Sequence, residues 1–204
     1  MVKSTDLKLH NFAEESFIHG CYIPEYICDN LIKYFDDNPK RHSRGQMFSE
    51  AEGNYVDTDK KDSKDISFWI YENQEDARLL NDYFFYLNLC HTEYERKYER
   101  VKHLSRCAVD SYVNIQKYEP GGGYKNWHCE RAGLRDALRC MAFMTHLNDV
   151  SDGGGTDFKY QNITAPAKKG LTLIWPSDWT HTHRGQVSPT QEKYIITGWF
   201  NYIE

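Results

Sequence analysis

The chain has 204 residues, 15% of them aromatic, with 25 Lys and Arg against 30 Asp and Glu for a formal net charge of −5. That length fits one domain with its own core, and mild acidity gives no basic stripe of the kind a nucleic-acid binder presents. No run approaches the roughly 20 apolar residues of a membrane span, and Met1-Val-Lys-Ser-Thr-Asp6 lacks the apolar stretch of a signal peptide; the expectation is a soluble, cytoplasmic protein that contacts no membrane.

The first hundred residues read as helices and loops. Residues 25–35 carry apolar side chains at helical spacing, and Asp36-Asp-Asn-Pro39 ends the run. Residues 40–65 are polar and aperiodic and read as a loop, either a substrate lid or a surface insertion. The basic groups Lys40-Arg-His-Ser-Arg44 and 96–106 read as solvated surface. A long helix is expected over 73–103, with Leu79, Leu80, Tyr83, Phe84 and Leu87 on its apolar stripe. From residue 108 onward the pattern turns to short strands, 109–118, 138–147, 171–175 and 193–202. Gly121-Gly-Gly123, Gly153-Gly-Gly155 and Pro176-Ser-Asp178 supply turn chemistry between them. Helices first and strands second indicate an α+β chain built on a small sandwich or barrel. The organisation expected is one domain over 1–204, with 1–107 as mainly helical support and loops and 108–204 as a β core that carries the site.

Six cysteines (Cys21, Cys28, Cys90, Cys107, Cys129 and Cys140) form no C-x-x-C pair and no zinc-type spacing. They read as free, mostly buried thiols.

In Trp127-His-Cys-Glu-Arg131, His128 and Glu130 stand two apart, and in extended backbone such residues share a face. A further histidine source lies in Trp179-Thr-His-Thr-His-Arg-Gly185. Two His and one carboxylate with open positions is the ligand set of non-haem Fe(II) oxygenases. Among nine His and thirty acids, the pair alone would be weak; its order along the chain adds the weight. Tyr118-Glu-Pro-Gly-Gly-Gly-Tyr124 precedes it. Arg139, Leu147-Asn-Asp149, Gly153-Gly-Gly-Thr-Asp-Phe158 and Pro166-Ala-Lys-Lys-Gly170 follow, and His183, Lys193 and Trp199 close the pattern.

Over residues 112–199 this order resembles the prolyl 4-hydroxylase-type Fe(II)/2-oxoglutarate dioxygenases, phage-encoded members included, and for a phage-encoded chain the compartment would be the host cytoplasm. The resemblance implies a double-stranded β-helix (jelly-roll) core with N-terminal supporting helices, and iron held by His128, Glu130 and His183. It implies Lys193 on the distal carboxylate of 2-oxoglutarate, with hydroxyls from Tyr118 and Thr156. The ten-residue spacing to Lys193 favours His183 over His181, which becomes a neighbouring or rim histidine. Trp199 fits barrel packing or a ligand contact, and Arg184 an acid or the substrate.

Implied cofactors are Fe(II), 2-oxoglutarate as co-substrate and, optionally, ascorbate. The implied reaction uses molecular oxygen to hydroxylate an unactivated C–H bond, first of all in a prolyl or other residue of a peptide or protein. The same chemistry on a small molecule, free amino acid or nucleobase is an alternative, with Trp175, Trp179, Phe200 and Tyr202 as candidate stacking surfaces. Glu130 stands where the family usually has Asp, and one extra residue separates Tyr124 from His128. These departures keep a non-catalytic metal-binding jelly roll as a third reading.

Overall fold

The structure, a computed structural model, describes residues 2–49 and 51–204. Its N-terminal part contributes strands as well as a helix: β1 (Lys8–His10), β2 (His19–Tyr22), α1 (Glu25–Asp37), β3 (Ser43–Arg44), β4 (Met47–Ser49), β5 (Gly53–Tyr55), β6 (Lys61–Asp62) and β7 (Lys64–Trp69). Helices α2 (Gln74–Leu79) and α3 (Asn81–Lys97) follow. Then come β8 (Cys107–Val109), β9 (Tyr112–Tyr118), β10 (Gly123–Tyr124), β11 (Arg139–His146), β12 (Thr156–Phe158), β13 (Ile163–Ala165), β14 (Leu171–Pro176), β15 (His183–Gly185) and β16 (Lys193–Tyr202).

Nine of these strands make one antiparallel sheet in the order β1-β2-β14-β11-β16-β9-β7-β3, with β8 against the far end of β16. Alternation along the central strands sorts their side chains to two faces. Phe143 on β11 and Tyr194, Ile196 and Phe200 on β16 pack toward the helices, with Val113 and Ile115 of β9 beside them. Ala142, Met144 and Ile195 point the other way, into a second core with Phe158, Leu173 and Trp175. Gly198 keeps this arrangement possible, because a Cβ there would stand 2.6 Å from the Phe143 ring.

On the helical side, α1 buries Ile27, Leu31 and Phe35 at four-residue intervals, and α3 buries Tyr83, Leu87, Cys90 and Tyr94. Each large side chain taken from water there contributes about 1.5–3 kcal/mol. Tyr83 satisfies its hydroxyl on Thr145 Oγ1 of β11 at 3.0 Å, which fixes the helix against the sheet. On the opposite side a smaller sheet, β13-β12-β15, faces the principal one. It is extended by a single bridge between His128 and His183. Two antiparallel sheets enclosing an interior, with helices on one outer face, form a double-stranded β-helix with N-terminal supporting helices.

Several sequence expectations are corrected. Residues 40–65 are not a loop. Within them β4 and β5 pair as a hairpin, β6 pairs with β10, and β3 pairs with β7 at the edge of the principal sheet. The N-terminal part is therefore not only helix and loop, since β1, β2, β3 and β7 all join that sheet. The expected helix over 73–103 breaks at Leu80, whose backbone sits at φ −88°, ψ 1°, and ends in a 3-10 turn over Glu99–His103. Strand 109–118 is split at Asp110-Ser111, and the short strands β10, β12, β13 and β15 were not expected. All six cysteines are free, with Cys21, Cys28 and Cys90 buried. No helix among the described residues is long and apolar enough to cross a membrane.

Candidate metal centre

His128 and His183 face each other across their bridge, each backbone N–H donating to the other's carbonyl at 3.0 and 2.9 Å. Their rings lie 4.3 Å apart. His128 Nδ1 has the Asn126 carbonyl at 3.0 Å, and His183 Nδ1 has the His181 carbonyl at 2.9 Å. A carbonyl only accepts, so both Nδ1 atoms carry the proton and both Nε2 lone pairs are left facing inward. Glu130 Oε1 stands 3.2 Å from His183 Nε2 and 3.7 Å from His128 Nε2. The three ligand atoms lie within 4.8 Å of one another. Three electron-pair donors converging with no proton assigned between them are the donor set of a divalent cation.

Glu130 is held from several directions. Its N–H donates to the Ser177 carbonyl at 3.1 Å, and Arg139 donates to its own carbonyl at 2.9 Å. Trp199 Nε1 donates to Oε2 at 2.7 Å, which leaves Oε1 for the imidazoles. Burial would raise the Glu130 carboxyl, but the neighbouring His183 and His128 and the Trp199 N–H outweigh it and hold the group down to about 2. Burial, with His183 beside it, pushes His128 down to about 4 despite Glu130. Both are thus in metal-binding protonation states near neutrality. The added methylene of Glu130 is accommodated within this geometry. The extra residue before His128 is accommodated too, since the Tyr124 ring stacks on the His128 imidazole at 3.8 Å and 9°.

His181 is buried but fully engaged, with Nε2 against the Ser16 carbonyl at 2.9 Å and Nδ1 against Thr180 Oγ1 at 3.0 Å. It supports His183 through its carbonyl. Arg184 pairs with Asp157 at 3.2 Å and covers the Trp127 ring at 4.5 Å. Trp199 was expected to serve barrel packing or a ligand contact; it does neither alone, because Arg139 stacks on its ring at 3.7 Å while its N–H positions Glu130.

Deeper in the interior, Lys193 is 4% exposed. Its ammonium donates to the Gln186 carbonyl at 3.2 Å and has no carboxylate within ion-pair distance among the described residues. Burial brings it down to about 8. A buried, unneutralised cation fits an anionic ligand. Gly185 keeps the approach open, because a Cβ there would sit 3.3 Å from the ammonium. Thr156 is buried directly opposite Gly185 in the small sheet. Tyr118 departs from its expected role: it gives the ammonium its ring face at 4.7 Å, and its hydroxyl donates to Gln116 Oε1 at 2.5 Å.

Of the aromatic set suggested for base stacking, Trp175 and Phe200 lie in the two cores, whereas Trp179 is exposed. Sequence reasoning missed the positioning roles of Arg139 and Asn126 and the clamp of Arg131 on Asp178, 2.6–3.0 Å. Only Arg139 had a signal, its place in the motif order.

A family model described as the 2OG-Fe(II) oxygenase superfamily matches residues 113–201. No curated protein matches the chain in sequence. Among solved structures, the viral collagen prolyl hydroxylase of Paramecium Bursaria Chlorella virus-1, in its 2-oxoglutarate complex, is 15% identical with a TM-score of 0.64, over 92% of this chain and 97% of that one. A Pseudomonas putida prolyl-4-hydroxylase is 13% identical with a TM-score of 0.62, over 90% of each chain. A Trichoplax adhaerens prolyl hydroxylase in complex with a hypoxia-inducible-factor peptide fragment is 18% identical with a TM-score of 0.65, over 90% of this chain and 83% of that one.

Proposed function

We propose that this chain, whose residues 113–201 match the family model described as the 2OG-Fe(II) oxygenase superfamily, is an oxygenase of that kind and hydroxylates a residue of a peptide, a prolyl residue first. In this reading His128, Glu130 and His183 hold Fe(II), and Lys193 and Thr156 receive the distal carboxylate of 2-oxoglutarate. The observation that carries it is the convergence of three ligand atoms within 4.8 Å in one interior with a buried, unneutralised lysine. When bound, Fe(II), 2-oxoglutarate and molecular oxygen would supply the oxidising chemistry: one oxygen atom of O2 would go to succinate as carbon dioxide is lost, and the other would convert a substrate C–H to C–OH.

The protein's part is to bind, orient and exclude water. Trp175 and Phe158 set their rings against His183 at 5.0 and 5.6 Å and close the apolar side of the site. Glu130 keeps its ligand oxygen aimed because Trp199 holds the other one. The peptide reading draws support from the Trichoplax structure, whose ligand is a peptide fragment. It also draws on the exposed Trp127, beside His128 in sequence, with Arg184 and Lys159 over its ring.

Anaerobic titration of the metal-free protein with Fe(II) and 2-oxoglutarate tests the reading. A visible metal-to-ligand charge-transfer band should develop, be absent in His183→Ala and weaken in Lys193→Ala. With oxygen admitted, prolyl peptides should raise succinate release above the substrate-free rate, and nucleotides or free amino acids should not. No band at saturating iron and keto acid would sink the proposal and favour a non-catalytic jelly roll.

A further inference from the structure

His146 is the last residue of β11 and is 1% exposed. Its backbone is satisfied, since its carbonyl accepts from Gly170 at 2.8 Å, but neither ring nitrogen has a hydrogen-bond partner. A buried imidazole with both nitrogens idle is costly, about 1–3 kcal/mol for each unsatisfied group, and calls for an explanation.

Strand parity says where it points. Phe143 faces the helical core and Thr145 meets Tyr83 on that side, while Ala142 and Met144 face the interior. His146 continues the interior row. Across the ladder it pairs with Ile195, two residues from Lys193 on the same face of β16. Diagonal neighbours of this kind have Cα atoms about 7–8 Å apart, within reach of two long side chains. Burial, with the Lys193 charge adding to it, pushes His146 down to about 3, so the ring is neutral and offers one N–H. Two buried donors thus share an interior in which Glu130 and Asp65 are engaged elsewhere and no carboxylate among the described residues pairs with Lys193 or meets the His146 ring. Of the two hydroxyls expected there, Tyr118 and Thr156, that of Tyr118 is committed to Gln116.

We propose that His146 is a further hydrogen-bond donor to the distal carboxylate of the 2-oxo acid, forming with Lys193 and Thr156 an anion site that selects a dicarboxylate over a short 2-oxo monoacid. This rests on the reading of the site given above. The carboxylate takes one oxygen to the Lys193 ammonium and the other to the imidazole N–H, which satisfies both groups at once.

The test is equilibrium binding, without oxygen, to the Fe(II)-loaded protein, read by the charge-transfer band with 2-oxoglutarate and with pyruvate, which lacks the distal carboxylate. His146→Phe should raise the Kd for 2-oxoglutarate roughly 10-fold or more, the worth of a hydrogen bond to a charged group. It should leave the pyruvate Kd unchanged within a factor of about two, and His146→Gln, which restores a donor, should recover most of the loss. His146→Leu supplies the same comparison at smaller volume should the phenyl ring not fit. An unchanged 2-oxoglutarate Kd in both donor-free variants would overturn the assignment alone. Equal losses for both acids would also overturn it, by showing a merely structural role. Failure of the unmodified protein to bind 2-oxoglutarate would instead bring down the keto-acid reading itself, and this assignment with it.

Discussion

At Lys193 a cation is buried with a single backbone carbonyl for a partner, and the cost is readable as a pH dependence. Its ordinary value is 10.5 and burial brings it to about 8. Between those two values the unfolded chain binds more protons than the folded one, so ligand-free stability should rise with pH across that window. Below about pH 8 the penalty is present in full, roughly 3 kcal/mol at most. Lys193→Met should therefore gain stability in urea melts at pH 7 and lose that advantage by about pH 10.5. The same variant should bind 2-oxoglutarate far more weakly, which separates a residue kept for stability from one kept for a ligand. Trp199→Phe makes a complementary case. It keeps the packing but frees Glu130 Oε2, and Fe(II) affinity in a direct titration should fall about 10–100-fold, as for other partners of metal ligands. The ligands themselves were legible because order and spacing along the chain carry them. Trp199 and Asn126 were not, since a hydrogen bond across 69 residues, or from a backbone carbonyl, leaves no mark on residue type.

At the scale of the element, β7 (Lys64–Trp69) begins inside the stretch 40–65 that was read as a loop and shows why its start was missed. Its Ile66 and Phe68 face the helical core, but Asp65 faces a polar part of the interior, so the segment looks hydrophilic. There Asp65 accepts from Lys61 at 2.9 Å, Asn114 at 3.1 Å and Ser63 at 2.7 Å. Both members of the ion pair are buried. Removing one partner of such a pair costs about 3–5 kcal/mol, because the other is left uncompensated. Asp65→Ala should lose that much in chemical denaturation, and Lys61→Met in the same chain should restore a good part of it. Equal stability of the single and double variants would show that the pair does not act as a unit. Hydrogen exchange gives an independent check: the Ile66 and Phe68 amides should be protected like those of β16, whereas a loop would exchange quickly. The break at Leu80 was hidden for a different reason. Residues on both sides keep helical periodicity, and only the backbone turn at ψ near 0° separates α2 from α3.

Across the whole molecule, one sheet serves two cores, and this separates what holds the fold from what binds the ligand. The helical core contains Leu87 and Phe35 with no contact to the metal residues, and the interior core contains Trp175 and Phe158, whose rings touch His183. The long strands of the β half were legible because they are nearly continuous apolar runs bounded by turns. The N-terminal half was not, because its strands, β7 apart, run only two to four residues and carry too short a pattern to register a period. The separation makes a joint prediction. Leu87→Ala should cost about 2–5 kcal/mol by opening a cavity against the sheet, yet leave the 2-oxoglutarate Kd within about twofold. A ligand at 100 times its Kd adds about 2.7 kcal/mol to the folded state, which for a chain of this size is a rise of about 5–10 °C in Tm. Leu87→Ala should show that full rise from a lower starting Tm, whereas Lys193→Met should start higher and show little or none with the keto acid. Loss of the ligand-induced rise in Leu87→Ala would mean that the helical face shapes the interior after all, and that the two cores are energetically one.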